Sequence, residues 1–332
     1  MAKVTIAHIA DALGVTPSTV SRALAGSPRV KPQTRQKVEQ MAALMGYERN
    51  EMASNLRRGT AQTVGIIVPR INRQFFGSVI SGAETVLNEA GYSVIISQTH
   101  ESLSSEIAAL KTMSRNRVAG IIISHSIEVS DGEHLSDLLS DGIRLVQFDR
   151  VYGNLPGAKV VNDNCRGAYE ATAHLLAQGY RRIGTLAGHM TCGHYRDRLE
   201  GYRSALEDSG ILFDSSLVFE DCILRETGHE AALEAIRRGC DALYCAGDFS
   251  ALGALDAAQK QGLEVPRDFG IVGTANEYFT GITSPSLSSL EMSPKQMGQI
   301  AARAFLENTD RTFVVPMKLI QRQSSTKNSK QP

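Results

Sequence analysis

From Thr63 onward the chain repeats one unit, a short unbroken apolar run followed by an amphipathic stretch. Val64-Gly65-Ile66-Ile67-Val68 precedes a helical pattern over 76–90 that Gly91 closes. Apolar runs return at 92–96, 118–123 and 145–148, with a helical stretch at 104–115. Strands that are apolar on both faces are buried on both faces, and parallel neighbours need helical crossovers. The rhythm restarts after Val161: helix 165–178, strand 183–187, helices 198–209 and 228–238, strand 242–245, helix 251–261 and strand 269–272. Two such series predict an α/β body of two doubly wound parallel-sheet subdomains, with ligands expected at the carboxyl ends of the strands. A chain of 332 residues, 42% hydrophobic, is long enough to fill both cores.

The first sixty residues have a different texture. Ile6, Ile9, Ala10 and Leu13 share one face of a helix, and Gly14-Val15-Thr16 is a tight turn. Thr16 can cap a second helix, 17–24, with Pro17 at its first position, where a missing N–H costs nothing. Two short helices joined by a Gly-containing turn make a helix-turn-helix. Val20 and Leu24 face inward; Ser18, Ser21 and Arg22 face outward, as groove-reading side chains would. A third helix covers 32–45 and ends at Gly46. Residues 50–59 can form a helix but are poor in apolar side chains, so that helix is marginal alone in water.

The net charge is zero and conceals an asymmetry. Residues 1–60 carry nine Lys/Arg against four acids, a charge of +5; the remainder carries −5. A basic end on an acidic body fits a phosphate-binding module attached to something that avoids DNA. Five cysteines (165, 192, 222, 240, 245) form no C-x-x-C pair and are odd in number, which points to a reduced, cytoplasmic compartment. No apolar run approaches membrane-span length, and no apolar signal-peptide core opens the chain, so no membrane partner is expected. Cys192, His194 and His189 lie close in sequence, but no second ligand pair has finger-like spacing, so no metal is expected. No nucleophile elbow, Walker loop or G-x-G-x-x-G fingerprint occurs; neither cofactor nor catalysis is expected.

Val4-Thr5-Ile6, Ala10, Gly14-Val15-Thr16 and Thr19-Val20-Ser21-Arg22-Ala23-Leu24 resemble the headpiece of the lactose/galactose-repressor family. The likeness continues through Thr34-Arg35, Gly46-Tyr47, Asn50 and Leu56. In the body it runs through Phe75-Phe76, Gly82-Ala83-Glu84, Phe148-Asp149-Arg150, Arg198-Leu199-Glu200-Gly201-Tyr202, Asp248, Met297-Gly298 and Arg322-Gln323-Ser324. The order of landmarks is kept along nearly the whole chain. The resemblance implies a sequence-specific transcription regulator, expected as a repressor. It would be a homodimer on a palindromic operator in double-stranded DNA, with a periplasmic-binding-protein-like core that takes a small-molecule effector, a sugar or sugar derivative, between its subdomains. It divides the chain into a headpiece (1–49), a hinge (50–60) and a core (61–325). The core's subdomains would be about 61–161 with 289–317, and 162–288 with 318–325. A disordered tail is expected over 326–332, within a polar stretch that begins at Gln323.

Within that frame Ser18, Ser21 and Arg22 are the candidate base readers, and Arg22 can reach guanine O6 and N7 together. The resemblance gives Pro17 and Ser18 much of the operator specificity. Thr5, Thr16, Thr19 and Asn50 suit phosphate contacts or helix caps. It makes Leu56 a minor-groove wedge whose insertion kinks the operator's centre. For the effector it carries over Phe75, Asp149, Arg198, Asp248 and Asn276, with Ser124 and His125 at a strand end that should face the cleft. This chain departs from the family pattern at Arg73-Gln74, Ile223, Gly247 and Thr274-Ala275-Asn276-Glu277. The rival reading from another class is a solute-binding protein for transport; an enzyme is a distant third.

Overall fold

The computed structural model describes residues 4–47, 62–140 and 142–327, apart from the Asp137 side chain. Asn50, Leu56 and the rest of the expected hinge lie outside the described residues. Residues 1–61 form one compact unit and 62–332 another.

The first unit has three helices: α1 (Ile6–Leu13), α2 (Pro17–Leu24) and α3 (Pro32–Leu44). Gly14, at φ 62°, ends α1 in the left-handed conformation that glycine adopts without a steric cost. The Thr16 hydroxyl accepts the Thr19 N–H at 3.3 Å and caps α2, with Pro17 next as expected. Ile9, Ala10, Val20, Ala23, Val30, Val38 and Ala42 make the core. Arg35 on α3 donates to the carbonyls of Gly26 (3.2 Å) and Ser27 (2.8 Å), fastening the loop that follows α2.

The second unit holds two six-stranded sheets. The first contains β1 (Thr63–Val68), β2 (Ser93–Gln98), β3 (Gly120–Ile123), β4 (Arg144–Phe148), β5 (Ala158–Asn162) and β11 (Thr312–Val315). Their order is β11-β5-β4-β3-β1-β2, and every pairing is parallel. The second contains β6 (Ile183–Leu186), β7 (Val218–Phe219), β8 (Ala242–Cys245), β9 (Gly270–Thr274), β10 (Ser288–Glu291) and β12 (Lys318–Ile320). Its order is β12-β10-β9-β8-β6-β7, with only β12 antiparallel. The helices are α4 (Gln74–Glu89), α5 (Leu103–Arg115), α6 (Ser136–Ser140), α7 (Asn164–Ala177), α8 (Gly193–Asp208), α9 (Arg225–Arg237), α10 (Asp248–Lys260) and α11 (Pro294–Glu307).

The chain passes between sheets three times: after β5, between β10 and α11, and between β11 and β12. The second passage corrects the expected one. Position 288 begins β10, whose register with β9 (Ser288 opposite Val272, Leu290 opposite Thr274) keeps it in the second sheet. The disorder expected of the polar stretch from Gln323 is corrected as far as Lys327; residues 328–332 lie outside the described residues. Ser324 and Ser325 are fully buried; the Ser324 hydroxyl donates to Ile271 O at 2.6 Å, and Ser325 meets His174 Nε2 at 2.8 Å. The Lys327 N–H donates to Gln178 Oε1 at 2.9 Å and its ammonium sits 3.9 Å from the Tyr180 ring centroid. Hydroxyls that satisfy one another's hydrogen bonds can be buried, which is why polarity misled here.

Helices α4 and α11 touch backbone to backbone. A Cβ on Gly82 would lie 2.1 Å from Lys295 O, and one on Gly298 2.0 Å from Val79 O. Gly298→Val should therefore force the helices apart and cost about 1–3 kcal/mol, the usual penalty of overpacking. Unchanged urea denaturation would show that α11 shifts freely on α4.

Candidate effector cleft and headpiece surface

Strand ends from both sheets meet at a cavity of about 420 Å³. That is within the few-hundred to thousand Å³ typical of small-molecule sites. Phe75 and Phe76 open α4 and form one wall, with Phe76 packed edge-on to Phe148 at 6.4 Å between centroids. Asp149 follows β4 at φ 60°, a left-handed turn that aims its side chain back at the cavity's edge. Arg198 on α8 is held from three sides. Its Nε donates to Asn164 Oδ1 and its Nη1 to Ala246 O, both at 2.8 Å, while Nη2 lies 3.7 Å from Met292 Sδ. Asp248 begins α10 and is buried; it accepts from Ser289 Oγ (2.6 Å) and the Glu277 N–H (2.7 Å).

Four expected effector residues thus line one cavity: Phe75, Asp149, Arg198 and Asp248. Three do not. Ser124 and His125 are fully buried, and His125 turns into the first sheet's own polar core, toward Glu106 and Gln147. Asn276, at φ 50°, is tied down by Arg322 Nη2 (2.7 Å) and donates to Glu291 Oε2 (2.8 Å), outside the cavity lining. Both placements have one physical source: the alternation along a strand end and the twist of a left-handed turn decide which way a side chain points, and neither is readable from order alone.

The cavity also takes residues outside the expected set. Arg73 sits 3.6 Å from the Phe249 ring centroid, a cation–π contact between the two subdomains. Next to Arg73, outside the cavity lining, Gln74 Oε1 accepts the Tyr278 N–H at 2.7 Å. Arg150 grips Glu101 with both Nη atoms, at 2.5 and 3.2 Å, and Arg70 Nε lies 3.8 Å from the same carboxylate. Tyr195 and Ile223 complete the walls. The signal that could have found Arg73 was already visible, as a departure from the family pattern directly before Phe75.

Burial raises three of the cleft's carboxyls. Burial raises Asp149, against the pull of Arg150 and Arg198. Burial also raises Asp248, to about 7; the Ser289 and Glu277 hydrogen bonds oppose this and the Glu277 charge adds to it. Glu277 is raised by burial and drawn back by Arg73. A raised carboxyl favours the protonated fold. Its penalty is absent below the unfolded value near 3.9, grows as pH rises towards 7 and is then constant. Asp248→Asn should flatten the fall in stability between about pH 4 and 7; denaturation midpoints across that range test it, and an unchanged slope would place the charge in water.

In the first unit the exposed face of α2 carries Pro17, Ser18 and Arg22; Thr19 and Ser21 are half-buried and Val20 and Ala23 fully buried. The Thr16 hydroxyl also meets Ser18 Oγ and Thr19 Oγ1, each at 2.9 Å. Exposed Thr5 caps α1, its N–H donating to His8 Nδ1 at 3.3 Å.

Comparison with known proteins agrees with both units. The profile of bacterial regulatory proteins, lacI family, matches residues 5–50, and that of the periplasmic binding protein-like domain matches 172–325. The HTH-type transcriptional regulator DegA of Bacillus subtilis (strain 168) is 30% identical over 298 residues, 89% of this chain and 88% of its own. The transcriptional regulator CelR in complex with cellobiose superposes with a TM-score of 0.72 at 26% identity, over 97% of this chain and 100% of that one. The lac repressor dimer bound to operator and an anti-inducer shares the fold at a TM-score of 0.86 and 22% identity, covering 98% and 99%. With the headpiece matched and a relative 30% identical along most of its length, the chain belongs to the lacI family of bacterial regulatory proteins and is a DNA-binding transcriptional regulator.

Proposed function

We propose that this regulator is a homodimeric, cytoplasmic repressor that releases or grips a palindromic operator according to a sugar or sugar derivative held in the cleft. The observation that carries the effector reading is the cavity itself, with buried Asp149, Asp248 and Arg198 beside the aromatic walls Phe75, Phe76 and Tyr195. Carboxylates accept from sugar hydroxyls, a guanidinium donates to hydroxyl or carboxylate, and rings cover the apolar face of a pyranose. The CelR complex supports a saccharide in this fold. Arg70 and Arg73 at the mouth widen the class to sugar acids and sugar phosphates.

On the DNA side Ser18, Ser21 and Arg22 read base edges, and Thr5, Thr16, Thr19 and Asn50 meet phosphate. Pro17 sets the entry of α2, and Leu56 is the hinge wedge. The effector would bias the pose of paired subdomains, and through it the hinge at 50–60, by the 1–3 kcal/mol typical of such coupling.

A thermal-shift screen of sugars, sugar acids and sugar phosphates against the full chain tests this. A hit should raise the melting temperature, alter operator affinity, and weaken at least tenfold with Arg198→Ala or Asp248→Ala. A hit that both variants bind unchanged would move the effector elsewhere. An effector hydroxyl donating to Asp248 favours the anion, so binding should weaken by up to about tenfold per pH unit below 7.

A further inference from the structure

A second polar centre lies in the first sheet's half, outside the cleft lining. Glu106 projects from α5, His125 follows β3, and His134 sits on a 3-10 turn at Glu133–Leu135. His125 Nδ1 lies 2.7 Å and His134 Nε2 2.9 Å from the same oxygen, Glu106 Oε1. The three ligand atoms are within 4.8 Å of one another. The side chains of Glu106 and His125 are fully buried and that of His134 is 9% exposed.

The orientation of His125 is not free. Gln147 accepts the Tyr152 N–H through Oε1 at 2.8 Å and donates through Nε2 to Tyr152 O at 3.3 Å, which fixes its amide. Its Oε1 then faces His125 Nε2 at 3.2 Å, so that nitrogen carries the hydrogen. His125 Nδ1 is left pointing at a carboxylate oxygen. A lone pair facing a lone pair at this distance requires a positive centre between them, a proton or a metal ion. A histidine whose far nitrogen donates to a carbonyl, with its near nitrogen aimed at a shared centre, is the outer-shell arrangement of metal sites. Glu106 is oriented in the same way, its Oε2 accepting the Ser126 N–H at 2.6 Å.

We propose that Glu106, His125 and His134 bind a divalent metal of borderline softness, Zn²⁺ foremost. Two imidazoles and one carboxylate suit that class, and three protein ligands leave a fourth position for water. Tetrahedral bonds of about 2.0–2.1 Å place neighbouring ligand atoms about 3.3 Å apart, so the hydrogen-bonded spacings must open by about half an ångström. The His134 turn, which carries the most exposed side chain of the three, would have to supply that movement. The ion would replace the protons now implied in the triad. It would tie the His134 turn to α5 and to the end of β3, where the His125 carbonyl accepts from Arg150 Nη1 at 3.2 Å. The three ligands are 19 and 9 residues apart in sequence, and no motif spacing announces them.

The test is metal uptake by the full chain, stripped with chelator, loaded with Zn²⁺ or Co²⁺ and desalted. One equivalent should remain, and Co²⁺ should give the intense visible absorption of a low-coordinate site. His134→Gln, at the rim and still hydrogen-bonding, should lower the affinity at least tenfold while melting normally without metal; His134→Asn is the second variant should that one fold poorly. Cys192→Ser, in the sequence cluster beside His189 and His194, should bind as the wild type. No retained equivalent in the wild type, or equal retention in the His134 variants, overturns the proposal and leaves a proton-filled hydrogen-bonded triad.

Discussion

Glu101→Ala should destabilise the body by about 3–5 kcal/mol, the cost of stranding a buried charge. The reason is Arg150, whose side chain is only 9% exposed and whose partner Glu101 is 15% exposed. Both Nη atoms of Arg150 are spent on that carboxylate, and burial, which works against the cation, is outweighed by the Glu101 charge and hydrogen bond. Removing the carboxylate leaves the guanidinium with the His125 carbonyl alone among its closest partners. The variant should melt many degrees lower, and Glu101→Ala combined with Arg150→Met should recover much of the loss, because an apolar replacement of both partners is often neutral. A loss under 1 kcal/mol, with no recovery in the double variant, would mean that the pair is solvated. The same residues line the cleft, so effector affinity should change with stability in the single variant.

Much of the scaffold was legible because its signals are strong and local. Unbroken apolar runs at 64–68 and 118–123 have few alternatives to a doubly buried strand, and Thr16-Pro17 punctuates a helix start unambiguously. The misses share a cause. Helix α8 begins at Gly193 rather than near Arg198, because His194 and Tyr195 face the cleft and break the expected apolar stripe. Strand β10 (Ser288-Ser289-Leu290-Glu291) is short and mostly polar and β12 (Lys318-Leu319-Ile320) has only three residues, and register with a neighbour, not composition, makes them strands. In the site, Asp149, Arg198 and Asp248, carried over from the family's order, line one cavity. Ser124, His125 and Asn276 lie outside that lining, because side-chain direction at a strand end or in a left-handed turn is not readable from sequence order. Arg73 with Phe249, and Glu106 with His134, are pairs made only by tertiary folding.

Arg22→Ala should cost about 1–3 kcal/mol per half-site on the operator and almost nothing on random DNA, with preference relaxed at one base pair. Arg22 stands in the last turn of α2, exposed, on the face opposite buried Val20 and Ala23. A guanidinium there is available for a bidentate contact with guanine, whereas a phosphate contact would weaken every sequence alike. Arg35 provides the contrast. Its Nη2 is committed to Gly26 O and Ser27 O, so Arg35→Ala should lower the headpiece's melting temperature and weaken specific and random DNA together. Binding isotherms for each variant on operator, on operators altered one base pair at a time, and on random duplex, at one fixed salt concentration, separate these cases. If Arg22→Ala loses equally on operator and random duplex while its melting temperature is unchanged, Arg22 touches only the backbone, and base reading must pass to Ser18 and its neighbours on the same face.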